Sequence, residues 1–160
     1  MSLVEKIQER FGAKVLSVSD LRGDAMLTLS ADALVEIATW LRDEAGLKML
    51  SDVAGVDLLH MGRTPRFEVV YNLFGYSSEG ISRLLLKVQV GEDHPKVPTL
   101  TGVFKSADWL ERECWDQFGI VFEGHHNLER ILNHHEFVGH PLRKDYPVDG
   151  RQILSRPEDL

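Results

Sequence analysis

The chain has 160 residues, 43% of them hydrophobic and 27% charged, which is the make-up of one globular domain long enough to bury about 70% of its extended-chain surface without cross-links. Its 18 basic residues against 25 acidic ones give a net charge of −7 with no basic stripe, which disfavours nucleic acid as a partner. Cys114 stands alone, so it has no disulfide partner in the chain and cannot supply the four thiolates an iron–sulfur cluster usually takes.

The opening residues run straight into an amphipathic pattern, without the basic and apolar regions of a signal peptide, and no apolar run approaches the ~20 residues that cross a bilayer. The expectation is a soluble, intracellular chain with no membrane span. Ser2 and Glu5 form a capping box ahead of a stripe of Leu3, Val4, Ile7 and Phe11, which predicts a short helix ending at Gly12. The β-rich runs from Ala13 to Val18 and from Ala25 to Leu29 flank a polar turn with Gly23, the pattern of a hairpin. Ser30 is the expected cap of a second helix, with Leu34, Ile37, Ala38 and Leu41 on one face and Gly46 at its end.

Three strands are expected next. Residues 48–59 form the first. Phe67, Val69, Tyr71 and Leu73 alternate with Glu68 and Asn72 in the second, and Leu84, Leu86, Val88 and Val90 alternate with Arg83, Lys87 and Gln89 in the third. Gly75 to Gly80 supplies the connection between the last two. One dry and one wet face predict an α+β two-layer sandwich, a mixed or largely antiparallel sheet with helices on one side. Pro95 and Pro98 make the stretch from Gly91 to Phe104 an extended connection rather than a ladder strand. Ser106 is then the expected cap of a third helix carrying Ala107, Leu110, Cys114 and Phe118 on its core stripe and ending at Gly119. Cys114 reads as a small core residue.

From residue 119 onward no helical or strand period is sustained. Only 11 of the 38 residues from Glu123 to Leu160 are apolar, too few for a core of their own. The chain therefore divides into an α+β globular domain, 1–118, and an extended C-terminal interaction arm, 119–160, expected to gain order against another protein. Five histidines, at 125, 126, 134, 135 and 140, lie within sixteen positions, but neither an i, i+4 pair nor a Cys-x-x-Cys motif accompanies them, so they read as polar contact residues and not as metal ligands. The cluster Glu111, Arg112, Glu113 and Asp116 has no nucleophile or phosphate loop beside it, so it reads either as a solvated helix face or as pairing that holds the start of the arm. No catalytic residue is assigned.

The stretch Glu111-Arg112-Glu113-Cys114-Trp115-Asp116-Gln117-Phe118-Gly119-Ile120-Val121-Phe122-Glu123-Gly124-His125 resembles the signature of the C subunit, or 30-kilodalton subunit, of the proton-pumping NADH:quinone oxidoreductase, respiratory complex I. Arg130-Ile131-Leu132 and Gly139-His140-Pro141-Leu142-Arg143-Lys144-Asp145-Tyr146-Pro147 are similar to its second block in order and spacing. The likeness covers roughly residues 45–148 and departs locally at Gln117 and His126.

The resemblance implies a non-catalytic scaffolding subunit without a cofactor of its own. Flavin and iron–sulfur clusters would belong to partner subunits. The partners implied are other peripheral-arm subunits, chiefly the quinone-site-bearing D subunit, and the location is the cytoplasmic side of the inner membrane, attached through the complex. The motif residues, including Gly119, Gly124, His125 and Arg130, become interface or structural candidates. The equivalent subunit of a membrane-bound energy-converting hydrogenase or formate hydrogenlyase is the alternative.

Overall fold

A computed structural model describes residues 2–77 and 80–153. Helix α1 spans Leu3–Phe11, with the Ser2–Glu5 capping box formed in both directions and Gly12 closing it. Strands β1 (Val15–Leu21) and β2 (Asp24–Leu29) make the expected antiparallel hairpin. Helix α2 covers Leu34–Asp43 and buries Leu34, Ile37, Ala38 and Leu41, as their spacing predicts. Strands β3 (Met49–Asp57), β4 (Phe67–Ser77) and β5 (Gly80–Val90) follow. Strand β6 is Lys96–Pro98, helix α3 is Ala107–Phe118 and strand β7 is Val121–Glu123.

The main sheet has the order β1-β2-β5-β4-β3. Within it the β2–β5 pairing is parallel and the other three antiparallel, because α2, β3 and β4 intervene and bring the chain back along β2 in the same direction. Register sets Val53, Gly55 and Asp57 opposite Tyr71, Val69 and Phe67, and this face carries the core together with Ile7 and Phe11 of α1 and the buried stripe of α2. Helix α3 packs on β3 from the same side. The α+β two-layer reading therefore holds, with all three helices on one face.

Several local expectations differ from the structure. Ser30 precedes a 3₁₀ turn, Ala31–Ala33, and its side chain caps nothing. Ser106 stands at the start of α3 but spends its hydroxyl on the carbonyl of Leu50, 2.8 Å away, tying the helix to β3. The stretch expected as a plain connection contributes β6, which pairs in parallel with β7; Pro98 is tolerated because it ends a strand of only three residues. The β4–β5 connection is tighter than Gly75 to Gly80, since pairing continues to Ser77 and Gly80; its tip, Ser78 and Glu79, lies outside the described residues. Glu68, on the wet face, is buried because Lys87 of the neighbouring strand lies over it at 3.2 Å.

Past Glu123 the backbone is irregular to the end of the described residues. It returns to the globular domain at the end of β3 and the start of β4, where the Lys144 N–H donates to Asp57 and Asp145 pairs with Arg66. Residues 154–160 of the expected arm lie outside the described residues.

Candidate functional site

The charges of α3 are the first place where the fold departs from a solvated-face reading. Glu111 and Asp116 are fully buried, whereas Glu113 is exposed. A buried carboxylate must be hydrogen-bonded or neutralised, and the two acids meet this requirement in different ways.

Asp116 is saturated by the segment that follows the helix. Its Oδ2 accepts the backbone N–H groups of Ile131, Leu132 and Asn133 at 3.1, 2.9 and 2.9 Å. Its Oδ1 accepts Asn133 Nδ2 at 3.0 Å and the Arg130 guanidinium at 2.5 Å. Burial pushes the carboxyl pKa up, but these donors outweigh it and hold the group well below the usual carboxylate range. Arg130 also lies over Trp115 and Phe137 and donates to the carbonyl of Gly139 at 2.9 Å. Arg112 sits on Trp109 and reaches the carbonyls of Glu129 and Arg130 at 3.2 and 3.3 Å.

The last carbonyls of α3 are satisfied by the second motif block. A helix leaves its final carbonyls without intrahelical donors. Here His140 Nδ1 donates to the carbonyl of Asp116 at 3.0 Å, the Leu142 N–H to Gln117 at 3.1 Å and Arg143 Nε to Phe118 at 2.5 Å. Gly119 makes this approach possible. It has φ +73°, and a Cβ there would lie 2.5 Å from His140 Cδ2 and 2.6 Å from Arg143 Nη2. Burial pushes the His140 pKa down and outweighs the contact with the Asp116 carbonyl, with the nearby Arg143 and Arg130 acting in the same direction as burial.

A second clasp joins the same segment to the sheet. Arg66, preceding β4, grips Asp57 at the end of β3 through Nε–Oδ1 at 3.0 Å and Nη2–Oδ2 at 2.8 Å. Arg66 also contacts Glu92 at 2.6 Å and Asp145 at 2.9 Å. Asp57 further accepts the N–H groups of Leu59 at 3.0 Å and Lys144 at 2.8 Å. Burial opposes ionisation of Asp57, yet the donors hold its pKa at about 2. Arg143 lies over the Phe67 ring, 5.2 Å from its centre. Tyr146 stacks on Phe137 and its ring covers Gly139. Leu142 is about half exposed, and Lys144 and Pro147 are exposed.

Glu111 faces the other way. It accepts Thr99 Oγ1 at 2.5 Å and the Leu100 N–H at 2.7 Å, fixing the β6–α3 connection to the helix. Burial dominates here and raises its pKa to about 7. The Tyr71 hydroxyl, under the same helix, is buried without a hydrogen-bond partner among the described residues. The Cys114 thiol is driven upward by burial, which fits a core residue.

Two of the five clustered histidines meet a carboxylate on α3. Asp108, His125 and His126 do bring three donor atoms within 4.8 Å of one another. However, His125 Nδ1 accepts the Asn127 N–H at 3.1 Å, so the proton of the neutral ring sits on Nε2, which donates to the Asp108 carbonyl at 3.1 Å. The His125 and His126 rings are also parallel to within 4°, with centres 5.1 Å apart. His125 instead locks the turn after Gly124 to the first turn of α3.

The site thus gathers the two motif blocks around the C-terminal end of α3, and adds Asp57 and Arg66, which the sequence offered only within the weaker upstream likeness and not as site residues, together with Thr99 and Asn133, which it did not single out. For Asp57 and Arg66 a signal existed: each flanks a strand end, and the antiparallel register that sets Asp57 opposite Phe67 brings its neighbour Arg66 alongside.

The family model described as the respiratory-chain NADH dehydrogenase 30 Kd subunit matches residues 27–152. The C subunit of the NADH-quinone oxidoreductase of Roseiflexus sp. (strain RS-1) is 40% identical over 154 residues, covering 95% of this chain and 86% of the relative. The combined C/D subunit of the NADH-quinone oxidoreductase of Bdellovibrio bacteriovorus is 45% identical over 133 residues, 83% of this chain but 23% of that longer protein. Among solved structures, the trypsin-resistant fragment (1-134) of Nqo5 matches with a TM-score of 0.68 and 36% identity over 78% of this chain and 98% of its own. The chain belongs to the 30-kilodalton subunit family of the respiratory-chain NADH dehydrogenase, as the two motif blocks imply.

Proposed function

We propose that this chain is a non-catalytic scaffolding subunit of the peripheral arm of a proton-translocating NADH:quinone oxidoreductase. The observation that carries the reading is the C/D relative, in which a region similar to this chain makes up 23% of one polypeptide named for both subunits. Covalent fusion keeps two parts at a fixed ratio and high effective concentration, an arrangement suited to neighbours in an assembly. The D subunit is accordingly the chief partner, and flavin and iron–sulfur clusters reside in other subunits.

The chemistry of the site supports a structural role. Asp116 and Asp57 are engaged by the chain's own donors, an arrangement that fixes backbone and leaves neither carboxylate poised as a general base. No helix in the described residues is long and apolar enough to cross a membrane, so attachment runs through the partners, on the cytoplasmic side.

Purification of the tagged full-length chain from its native cell, with identification of the associated proteins, tests the proposal. A D subunit together with a flavin-containing, NADH-oxidising subunit is expected. A nickel-iron large subunit in their place assigns the chain to a hydrogenase assembly and overturns it. The isolated full chain is expected to show no NADH oxidation and no visible absorbance, and a stoichiometric flavin or iron–sulfur spectrum contradicts the scaffolding role.

A further inference from the structure

The geometry points to a slot between β3 and α3 that receives one arginine side chain from a neighbouring subunit. The slot has a volume of about 240 Å³, with Val53, Phe118 and Leu142 among its apolar walls and Asp52, Glu113 and Gln117 as its polar ones. Small-molecule sites run from about 300 to 1,000 Å³, so this one suits a single inserted side chain better than a cofactor.

Three acceptors stand open in it. Asp52 and Glu113 are exposed, and among the described residues neither carboxylate has a cation or a hydrogen-bond donor. Gln117 is only 8% exposed, yet its side-chain amide has no hydrogen-bond partner among the described residues, while its carbonyl accepts the Leu142 N–H. A buried amide left unpaired is costly. Elsewhere on α3 the chain meets such needs itself: Asp116 takes donors from residues 130–133 and Glu111 from residues 99–100. For the slot it supplies none.

The occupant must serve two carboxylates and an amide oxygen while lying against an aromatic ring and aliphatic side chains. A guanidinium meets both demands, because its planar fork of N–H donors reaches several acceptors at once and its face stacks on a ring. The chain uses arginine in this way internally, where Arg130 lies over Trp115 and donates to Asp116. An ammonium is a compact, strongly hydrated charge and fits a half-apolar slot less well. The negative field reaches the slot's floor, where the Cys114 thiol is driven upward first by burial and then by Glu111, Glu113 and Asp52. Gln117 is also one of the two positions where the chain departs from the signature, so this polar wall is a feature of this chain. The slot belongs to the chain itself; that its arginine comes from a neighbouring subunit rests on the scaffolding reading.

Retention of partner subunits on the tagged full-length chain, isolated from its native cell and washed at one fixed ionic strength, tests this. Asp52→Asn combined with Glu113→Gln is expected to lower the retained partner at least tenfold, and Gln117→Met several-fold, with no fall in the unfolding midpoint of the isolated chains. Glu9→Gln, on the exposed side of α1, should leave retention unchanged. Leu142→p-benzoylphenylalanine, photolysed in the assembly, should link to a partner peptide that contains an arginine. Changing that arginine to lysine should weaken retention without adding to the loss caused by the carboxylate variant. Undiminished retention in the carboxylate variant, an equal loss from Glu9→Gln, a loss that follows a lowered unfolding midpoint, or a link to a peptide without arginine overturns the slot. A nickel-iron subunit found in place of the D and flavin subunits changes the neighbour and not these outcomes, so the slot and the subunit assignment fail separately.

Discussion

Arg66 and Asp57 meet edge to edge at the ends of adjacent strands, and both are almost entirely shielded, their side chains 6% and 0% exposed. Removing one member of such a pair strands the other, a loss of about 3–5 kcal/mol. Arg66→Met is therefore expected to lower the stability of the chain by that amount in urea unfolding. A change under about 1 kcal/mol would mean that water reaches Asp57 once the arginine is gone.

Asp116 invites a sharper contrast. Asp116→Asn keeps the shape of the side chain but removes its charge and turns one acceptor into a donor facing the N–H groups of residues 131–133. A loss of about 3–5 kcal/mol is expected, against less than about 0.5 kcal/mol for Glu113→Gln three positions earlier on the exposed side of the helix. Equal effects from the two variants would refute the structural role assigned to Asp116.

The carboxyl groups also set opposite limits on pH stability. Asp57, held at about 2, and Asp116, held well below the usual carboxylate range, contribute stability that is present above their unfolded values of about 4 and lost as pH falls through the folded ones. Glu111 has the reverse sign. Its folded pKa, about 7, lies above the ordinary value of 4.5, so its contribution is complete below 4.5 and is lost as pH rises through 7. Thermal unfolding from about pH 3 to 9 should show an acid limb and a shallower decline between about 4.5 and 7. Glu111→Gln should remove only the second, and an unchanged decline in that variant would assign it to another group.

Gly55 and Phe118 offer a packing test. A Cβ on Gly55 would come within 2.5 Å of the Phe118 ring, which lies directly on the strand backbone. Overpacking of this kind costs about 1–3 kcal/mol. Gly55→Ala should be destabilising by that amount alone and nearly neutral in the background of Phe118→Ala. Additive effects in the double-mutant cycle would show that the helix moves aside without strain.

The sheet was legible because Phe67, Val69, Tyr71 and Leu73, like Leu84 to Val90, keep a strict two-residue period, and the apolar stripes of all three helices meet the core. Glu111 and Asp116 were harder to read, since a carboxylate on a helix is normally solvated and its burial depends on donors that arrive from residues 99–100 and 130–133. The same blind spot affects the C-terminal segment. Counting its apolar residues predicts too little burial to hold it in place, because such a count omits charge-assisted hydrogen bonds to buried acids. Ser30 and Ser106 show the limit of local motifs: each stands where a cap belongs, yet a 3₁₀ turn and a carbonyl on β3 decided the outcome.

The 79 positions between Arg66 and Asp145 also order events on the ribosome. At about 5–20 residues per second the nascent chain needs roughly 4–16 seconds to extend from one to the other. Asp57 precedes Arg66, so the guanidinium emerges with its partner already made and can enter the growing sheet as a neutralised pair. Asp116 has no such escort, because every donor to its carboxylate is encoded downstream. The Asp116 carboxylate is thus without its donors until translation passes Asn133, and a stall before that codon would leave a bare charge on a helix that has nowhere to bury it.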